Sequence, residues 1–400
     1  MKVITDEKKI DEILTRGVIT NVLPTKEDFK KLLMSGKRIR IYIGFDATAD
    51  TLHLSHAKNI MLLEEFRKLG HEVILLFGDF TARIGDPSDQ EGTRAILSKK
   101  EILNNIKKWR KQIKNLISFN DFKNPAKIKF NSKWLSKLSM EDVLNLASKV
   151  TVQQIIERDM FQKRIKEGKH IFLHEFMYPL MQGYDSVAME VDVEMCGTDQ
   201  IFNALVGRTL LRKMKSREKF VVVVNLMENP ITKELMSKSR GTGVFLNTTP
   251  LEMFGAIMAQ PDEMIEPLFR NCTGVPVETF NSFFKDPKLA KMKVAKEIVS
   301  GVFGDTQKAK KAEENWENVF SKKEIPNEMQ EIFIANKENL VDVLVKNKIL
   351  SSKSEWRRLI EGGGVHDLEK KEVIKDVNLK TEKDMILKIG KKKFVKIIIK

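Results

Sequence analysis

Ile39-Arg-Ile-Tyr-Ile-Gly-Phe-Asp-Ala-Thr-Ala-Asp-Thr-Leu-His-Leu-Ser-His56 opens the part of the chain that decides the fold. It leads into an apolar helical run closed by Gly70, then into Val73-Ile-Leu-Leu-Phe-Gly-Asp-Phe-Thr-Ala-Arg-Ile-Gly-Asp-Pro-Ser88. The order is strand, turn, helix, strand, loop. Residues 38 to 43 alternate basic and apolar side chains before Gly44, the pattern of a strand whose end opens into a loop. From Ser55 onward Ile60, Leu62, Leu63 and Phe66 recur at helical spacing, and Gly70 suits the position just past a helix C-terminus. His53 and His56 therefore fall on a helix start, where unpaired N–H groups and a partial positive charge attract phosphate. Taken alone, the two histidines read equally as zinc ligands or as ordinary surface residues.

Outward from this stretch, strands continue to alternate with helices. The run 127–130 and Val191–Cys196 read as strands, and Phe220–Leu226, with four consecutive valines, as a buried strand of the parallel type. Helices are expected over 5–35, 101–117, 141–168, 174–189 and onward to Lys213. The pattern predicts an α/β fold with a doubly wound, Rossmann-like parallel sheet, whose ligands bind beyond the carboxyl ends of the strands. Gly44, Gly78 and Gly197 lie at such ends. Pro179 and Gly183 sit inside the 174–189 helix, where neither favours a helix that only packs. Glu234 to Gly243 is short, polar and glycine-bearing, a loop after the last strand. From Pro250 to about Asn336 the pattern is helical with no strand signal. Three parts are expected: a catalytic domain over 1–248, a helical domain over 249–336 and a small basic helix-and-sheet module over 337–400.

The 400 residues carry 70 Lys+Arg against 55 Asp+Glu, a net charge of +15, which points to a polyanionic partner or an anionic membrane surface without choosing between them. The last 60 residues hold 16 basic and 9 acidic side chains, nearly half of that excess. Two cysteines, Cys196 and Cys272, exclude a disulfide framework or a four-cysteine zinc site and favour a reducing compartment. The N-terminus lacks the apolar core of a signal peptide, and no run approaches the roughly 18 apolar residues of a membrane helix. A cytoplasmic protein is expected.

The pair formed by His53-Leu54-Ser55-His56 and the distant Leu235-Met236-Ser237-Lys238-Ser239 resembles the two signatures of class I aminoacyl-tRNA synthetases. The finer resemblance is to the tyrosyl-tRNA synthetase family. It rests on Tyr42 to His53, on Ile84-Gly85-Asp86-Pro87-Ser88, on Asn131 with Trp134, on Tyr178 with Gln182 and Asp185, and on Gly197-Thr198-Asp199-Gln200. The C-terminal segment looks like an S4 RNA-binding domain, so the resemblance spans nearly the whole chain.

The resemblance implies a tyrosine-tRNA ligase that makes tyrosyl-adenylate from L-tyrosine and ATP, with Mg2+ carried by the nucleotide, and then charges tRNA(Tyr). Attack of a carboxylate on the α-phosphorus builds charge on the leaving pyrophosphate, and a site accelerates it mainly by stabilising that charge. Thr48, His53, His56 and Lys238 are the implied catalytic residues. Tyr42 and Asp185 would meet the substrate phenol; Asp86, Tyr178 and Gln182 the ammonium; Gln200 also joins the tyrosine site. Gly44, Asp46, His53, Gly197, Asp199, Met236 and Lys238 would hold ATP. As isolated residues, Asp46 also fits an Asx turn and Asp199 a helix cap. Arg83 and Arg94 flank the region and suit either phosphate contact or surface positions. The family pattern further implies a homodimer and no protein-bound metal site.

Two positions depart from the pattern. Ser55 stands where the first signature usually has glycine, either crowding the nucleotide or capping the helix. Leu235 replaces the usual first lysine of the second signature, with Lys233 two positions earlier as an alternative cation. The competing readings are a tryptophanyl-tRNA synthetase, a nucleotidyltransferase of the same superfamily, and a synthetase-derived RNA-binding protein without catalysis.

Overall fold

The computed structural model describes residues 2–86, 97–236, 242–280, 286–320, 329–347, 349–370, 372–390 and 393–399. The chain divides into two compact units, Met1–Thr248 with Gln260–Gly304, and Thr249–Ala259 with Asp305–Lys400.

The first unit is built on a six-stranded sheet in the order β1-β6-β5-β2-β3-β4. The strands are β1 Ile19–Leu23, β2 Arg40–Phe45, β3 Glu72–Phe77, β4 Lys127–Phe130, β5 Val193–Gly197 and β6 Phe220–Val224. All neighbours run parallel except β1, which pairs antiparallel with β6. That strand corrects the expectation of helix throughout 5–35: α1 Glu7–Thr15 and α2 Lys26–Met34 flank it.

The strand order places the site. From β2 the chain crosses through α3 Leu54–Lys68 to β3 on one side, while β5 pairs with the other side of β2. The order therefore reverses between β2 and β5, the switch point where an open α/β sheet leaves a crevice. Gly44 near the end of β2 and Gly197 at the end of β5 stand on its two lips. Val73, Ile74, Leu75, Val193, Val221, Val222 and Val224 are fully covered, as strands packed on both faces must be.

The remaining helices of this layer are α4 Lys99–Ile113, α5 Ser132–Leu135, α6 Met140–Ala147, α7 Val152–Ile156, α8 Asp159–Lys166, α9 Leu173–Met189 and α10 Ile201–Lys215. Helix α4 starts on a reciprocal cap between Ser98 and Glu101, which satisfies two otherwise orphaned N–H groups. Helices α9 and α10 cross where Gly183 meets Gly207: a Cβ on Gly183 would sit 3.1 Å from the Gly207 nitrogen. Gly183 thus allows the close approach of the two helices, on a helix that also carries Tyr178, Gln182 and Asp185.

In the second unit, the helices Pro250–Met258 and Thr306–Phe320 pack together, with Phe254 and Trp316 at 6.0 Å between ring centroids. A five-stranded sheet in the order β7-β11-β10-β8-β9 follows, formed by β7 Gln330–Ile334, β8 Val365–Asp367, β9 Glu372–Val373, β10 Met385–Ile389 and β11 Lys393–Ile399. It packs with the helices Leu340–Lys346 and Lys353–Glu361 around Trp356, Leu344, Leu387 and Ile397. Strand β7 pairs in parallel with β11, so the small sheet begins before residue 337 and the segment 249–336 is not purely helical. No helix among the described residues is long and apolar enough to cross a membrane.

Candidate active site

The loop leaving β2 is held from behind by one face of α4. Asn105 Nδ2 donates to the Ala47 carbonyl at 2.9 Å, Trp109 Nε1 to that of Ala49 at 2.9 Å and Gln112 Nε2 to that of Asp50 at 3.0 Å. These are backbone acceptors that no strand or helix satisfies, and fixing them fixes the loop's path. Thr48 is left exposed at its tip.

The loop delivers His53 as the N-cap of α3. Its Nδ1 accepts from the Ser55 N–H at 3.3 Å, and His56 Nδ1 accepts in turn from the His53 N–H at 3.4 Å. The cap is thus the histidine; Ser55 does not cap. The two rings lie 4.1 Å apart between centroids. Burial pushes the His53 pKa down to about 4 and that of His56 well below its ordinary value. Both are neutral near pH 7, with Nδ1 as acceptor and the proton on Nε2. Each can donate one hydrogen bond without carrying charge, and Nδ1 of each is committed to the helix cap.

Directly after β2, Asp46 accepts from Thr81 Oγ1 at 2.6 Å and from the Tyr178 hydroxyl at 2.8 Å. It joins three elements, more than an Asx turn does. The Asp86 carboxylate accepts from Gln200 Nε2 at 2.6 Å and from Arg158 Nη2 at 3.3 Å. Asp199 lies on the same Gln200 amide at 2.9 Å, outside any helix-cap role. Asp46 and Tyr178 thus form one hydrogen-bonded group, and Asp86, Asp199 and Gln200 another.

Deeper in, Tyr42 and Asp185 are buried on β2 and α9. Asp185 accepts from Trp134 Nε1 at 2.7 Å and from Asn131 Nδ2 at 3.3 Å. Burial pushes its pKa well up, and those two donors act the other way. The Tyr42 hydroxyl meets Ser186 Oγ at 2.9 Å, one residue beyond Asp185; burial first, then the charges of Glu194 and Asp185, raises its pKa. Gln182 donates to Glu194 Oε1 at 3.1 Å and accepts from Asn203 at 2.9 Å. Tyr184 packs among Leu135, Met181, Leu180 and Leu210 and serves the core.

Sequence reasoning missed Arg158, Ser186, Glu194, Asn203 and Lys219. The signal for two of them was present: Glu194 interrupts an apolar strand, and Lys219 stands directly before the valine run. An ionisable residue in a strand buried on both faces needs a partner, and each is the other's.

Of the second signature, Leu235 is exposed and Met236 is buried, its N–H on the Met227 carbonyl at 2.9 Å. Lys233 is exposed and pairs with Glu228 at 3.4 Å. Ser237, Lys238 and Ser239 lie outside the described residues, as do Pro87, Ser88 and Arg94 of the other expectations. The segment that returns from this loop is described: Leu54 N–H donates to the Val244 carbonyl at 3.0 Å, and Leu246 N–H to that of Leu52 at 2.9 Å. Arg83 is exposed.

A parallel sheet with its crevice at the β2/β5 switch point, two neutral histidines on a helix start and a returning loop beside them define the class. Residues 34–321 match the family model of class I tRNA synthetases (W and Y), and the chain is an ATP-dependent aminoacyl-tRNA synthetase of that class. A tyrosine–tRNA ligase of Carboxydothermus hydrogenoformans is 42% identical over 410 residues, covering 97% of both chains. One of Thermotoga maritima is 40% identical over 403 residues, covering 98% of both. The chain belongs to the tyrosine–tRNA ligase family. Solved relatives share the fold: the tyrosyl-tRNA synthetase of Archaeoglobus fulgidus complexed with L-tyrosine has a TM-score of 0.58 at 20% identity, over 77% of this chain and 100% of that one. A C-terminally truncated mitochondrial tyrosyl-tRNA synthetase of Aspergillus nidulans has 0.66 at 20% identity, over 78% and 94%.

Proposed function

We propose that this protein activates L-tyrosine with ATP, releasing pyrophosphate, and transfers the tyrosyl group from the adenylate to the 3′ end of tRNA(Tyr). The observation that carries the choice of amino acid is the pair Tyr42 and Asp185, a hydroxyl and a carboxylate buried at the β2/β5 switch point. A phenol can both donate to and accept from such a pair. An indole N–H can only donate, which disfavours tryptophan.

In this reading Asp86, Tyr178 and Gln182 receive the substrate ammonium, and Gln200 borders its carboxylate. Gly44, Asp46, Gly197, Asp199 and Met236 surround the nucleotide, which enters as its magnesium complex. Thr48, His53 and His56 face the phosphates. The Nε2–H groups of the histidines stabilise charge as it develops on the leaving pyrophosphate, and Lys238 does so from the opposite loop, closing as the transition state forms. Ser55 is tolerated, because the helix start is already capped by His53.

The basic segment 337–400 is read as an S4-like RNA-binding module. With the helical segment before it, it would hold tRNA with an affinity that falls as salt rises. A homodimer is proposed on the exposed apolar side chains Met140, Leu144, Val152, Ile165, Phe172 and Leu173, which suit a protein interface. Gel filtration at micromolar concentration tests it, and a monomer would count against it. Two buried free thiols, Cys196 and Cys272, agree with work in the cytoplasm. Tyrosine-dependent exchange of pyrophosphate into ATP tests the activation step: exchange with tyrosine supports the reading, and exchange with tryptophan alone overturns it.

A further inference from the structure

Behind Tyr42 the protein buries an ion pair that the reaction does not itself require. Lys219 is 1% exposed and Glu194 2%, and the Lys219 ammonium contacts Glu194 Oε2 directly. The same ammonium lies 2.6 Å from Ser186 Oγ, which is 2.9 Å from the Tyr42 hydroxyl oxygen and 3.2 Å from Glu194 Oε2. The space is reserved for it: a Cβ on Gly207 would stand 2.7 Å from Lys219 Nζ. A lysine ammonium in such a site costs stability unless its position is used or fully paired.

The chemistry of the groups fixes the direction of the hydrogen bonds. An ammonium only donates, so Ser186 Oγ accepts from Lys219. Ser186 has one proton to give. That proton goes to Glu194 Oε2 at 3.2 Å, since a carboxylate oxygen accepts more than one hydrogen bond. The Tyr42 hydroxyl therefore donates to Ser186 Oγ, and its orientation is fixed by that bond. Asp185, meanwhile, is a carboxylate receiving donors from Trp134 and Asn131 and retains acceptor capacity.

We propose that Lys219, acting through Ser186, is a positioning residue that fixes the Tyr42 hydroxyl opposite the substrate phenol. One series of hydrogen bonds then runs from Lys219 through Ser186 and Tyr42 to the substrate. Hydrogen bonds in series strengthen one another in a dry site, and phenylalanine, lacking the hydroxyl, would break the series at Tyr42. This inference rests on the reading of Tyr42 and Asp185 as the phenol-binding pair.

Ser186→Ala tests it while leaving the Lys219–Glu194 pair in place. Pyrophosphate exchange is measured on the full chain with tyrosine, phenylalanine and ATP varied in turn. The expected result is a tyrosine KM about tenfold higher, with the KM values for phenylalanine and ATP unchanged. The double variant Lys219→Met/Glu194→Gln, which leaves no lone buried charge, is expected to raise the tyrosine KM in the same way. In a Tyr42→Phe background, Ser186→Ala is expected to add nothing, since the series is already cut. Unchanged tyrosine kinetics in Ser186→Ala overturn the proposal, as does an equal rise in all three KM values, which marks a general structural role. Should the unaltered chain fail to use tyrosine, or Tyr42→Phe leave the tyrosine KM unchanged, the underlying reading of the phenol site fails instead.

Discussion

His53 and Phe245 face each other across an antiparallel bridge, their rings 6.4 Å apart between centroids. The bridge ties the start of α3 to the segment returning from the second signature loop, although 192 residues separate the two in sequence. In the proposed reading, a histidine that meets phosphate and a loop that reaches the same phosphate share this backbone anchor. Positional error between them is small for that reason, and positioning of this kind dominates catalysis by charge stabilisation.

His53 caps α3 through Nδ1 and, in the proposed reading, donates through Nε2. His53→Ala removes both and is expected to lower the exchange rate by about 10²–10³-fold, the usual loss of one transition-state donor. It also removes a cap worth about 1 kcal/mol. His53→Asn keeps a capping oxygen and an amide donor and should retain melting temperature and part of the rate. Equal losses in rate and stability for the two variants would contradict the division.

Arg158 is 6% exposed, pairs with Asp86 and packs over the Phe202 ring at 6.0 Å. Its other amino group, Nη1, is buried and has no hydrogen-bond partner among the described residues. Removing the guanidinium frees the Asp86 carboxylate from its fixed orientation between Arg158 and Gln200. Arg158→Gln is expected to raise the tyrosine KM about tenfold or more with little change for ATP; a pure ATP effect would refute this.

The crossing of α9 and α10 leaves no room for side chains at Gly183 and Gly207. Gly183→Ala sets a methyl against backbone at 3.1 Å and is expected to destabilise by about 1–3 kcal/mol, as overpacking does. Because Gln182 and Asp185 flank the crossing, the tyrosine KM should rise with it. Thermal unfolding and kinetics on one preparation check both effects.

Two buried histidines predict acid sensitivity. His53 and His71 have folded pKa values pushed down to about 4 by burial, against an ordinary 6.5. Between those values the unfolded chain binds more protons than the folded one, so stability falls as pH drops from about 6.5 toward 4 and is full above that window. His71 is fully covered and neither ring nitrogen has a partner. His71→Phe should flatten the fall by up to about 3 kcal/mol, measured by denaturant unfolding at pH 7.5 and 4.5. An unchanged pH slope would assign the sensitivity elsewhere.

The parallel sheet and the strand-end glycines Gly44 and Gly197 were legible because periodicity and turn residues are local signals, whereas the switch point follows from the strand order, which only the structure gives. Strand β1 was not, since Ile19–Leu23 is a short edge strand defined by a partner, β6, two hundred residues away. Strand β7 escaped for the same reason, pairing with β11 across the small sheet. Among the expected site residues, Asp46 meets Tyr178, and Asp86 and Asp199 meet Gln200, while Lys238 lies outside the described residues. Ser186 and Arg158 did not announce themselves, because what sets them apart is what they touch. The capping role of His53 was likewise invisible, since histidine is not a usual cap and only the loop geometry assigns it.

Exchange of labelled pyrophosphate into ATP, with tyrosine, tryptophan and phenylalanine supplied separately, tests the central claim most directly. The account predicts exchange that depends on tyrosine, is absent with tryptophan and far weaker with phenylalanine, and is lowered by orders of magnitude in Lys238→Ala with little change in tyrosine affinity. Exchange driven by tryptophan, or none with any of the three, would contradict it.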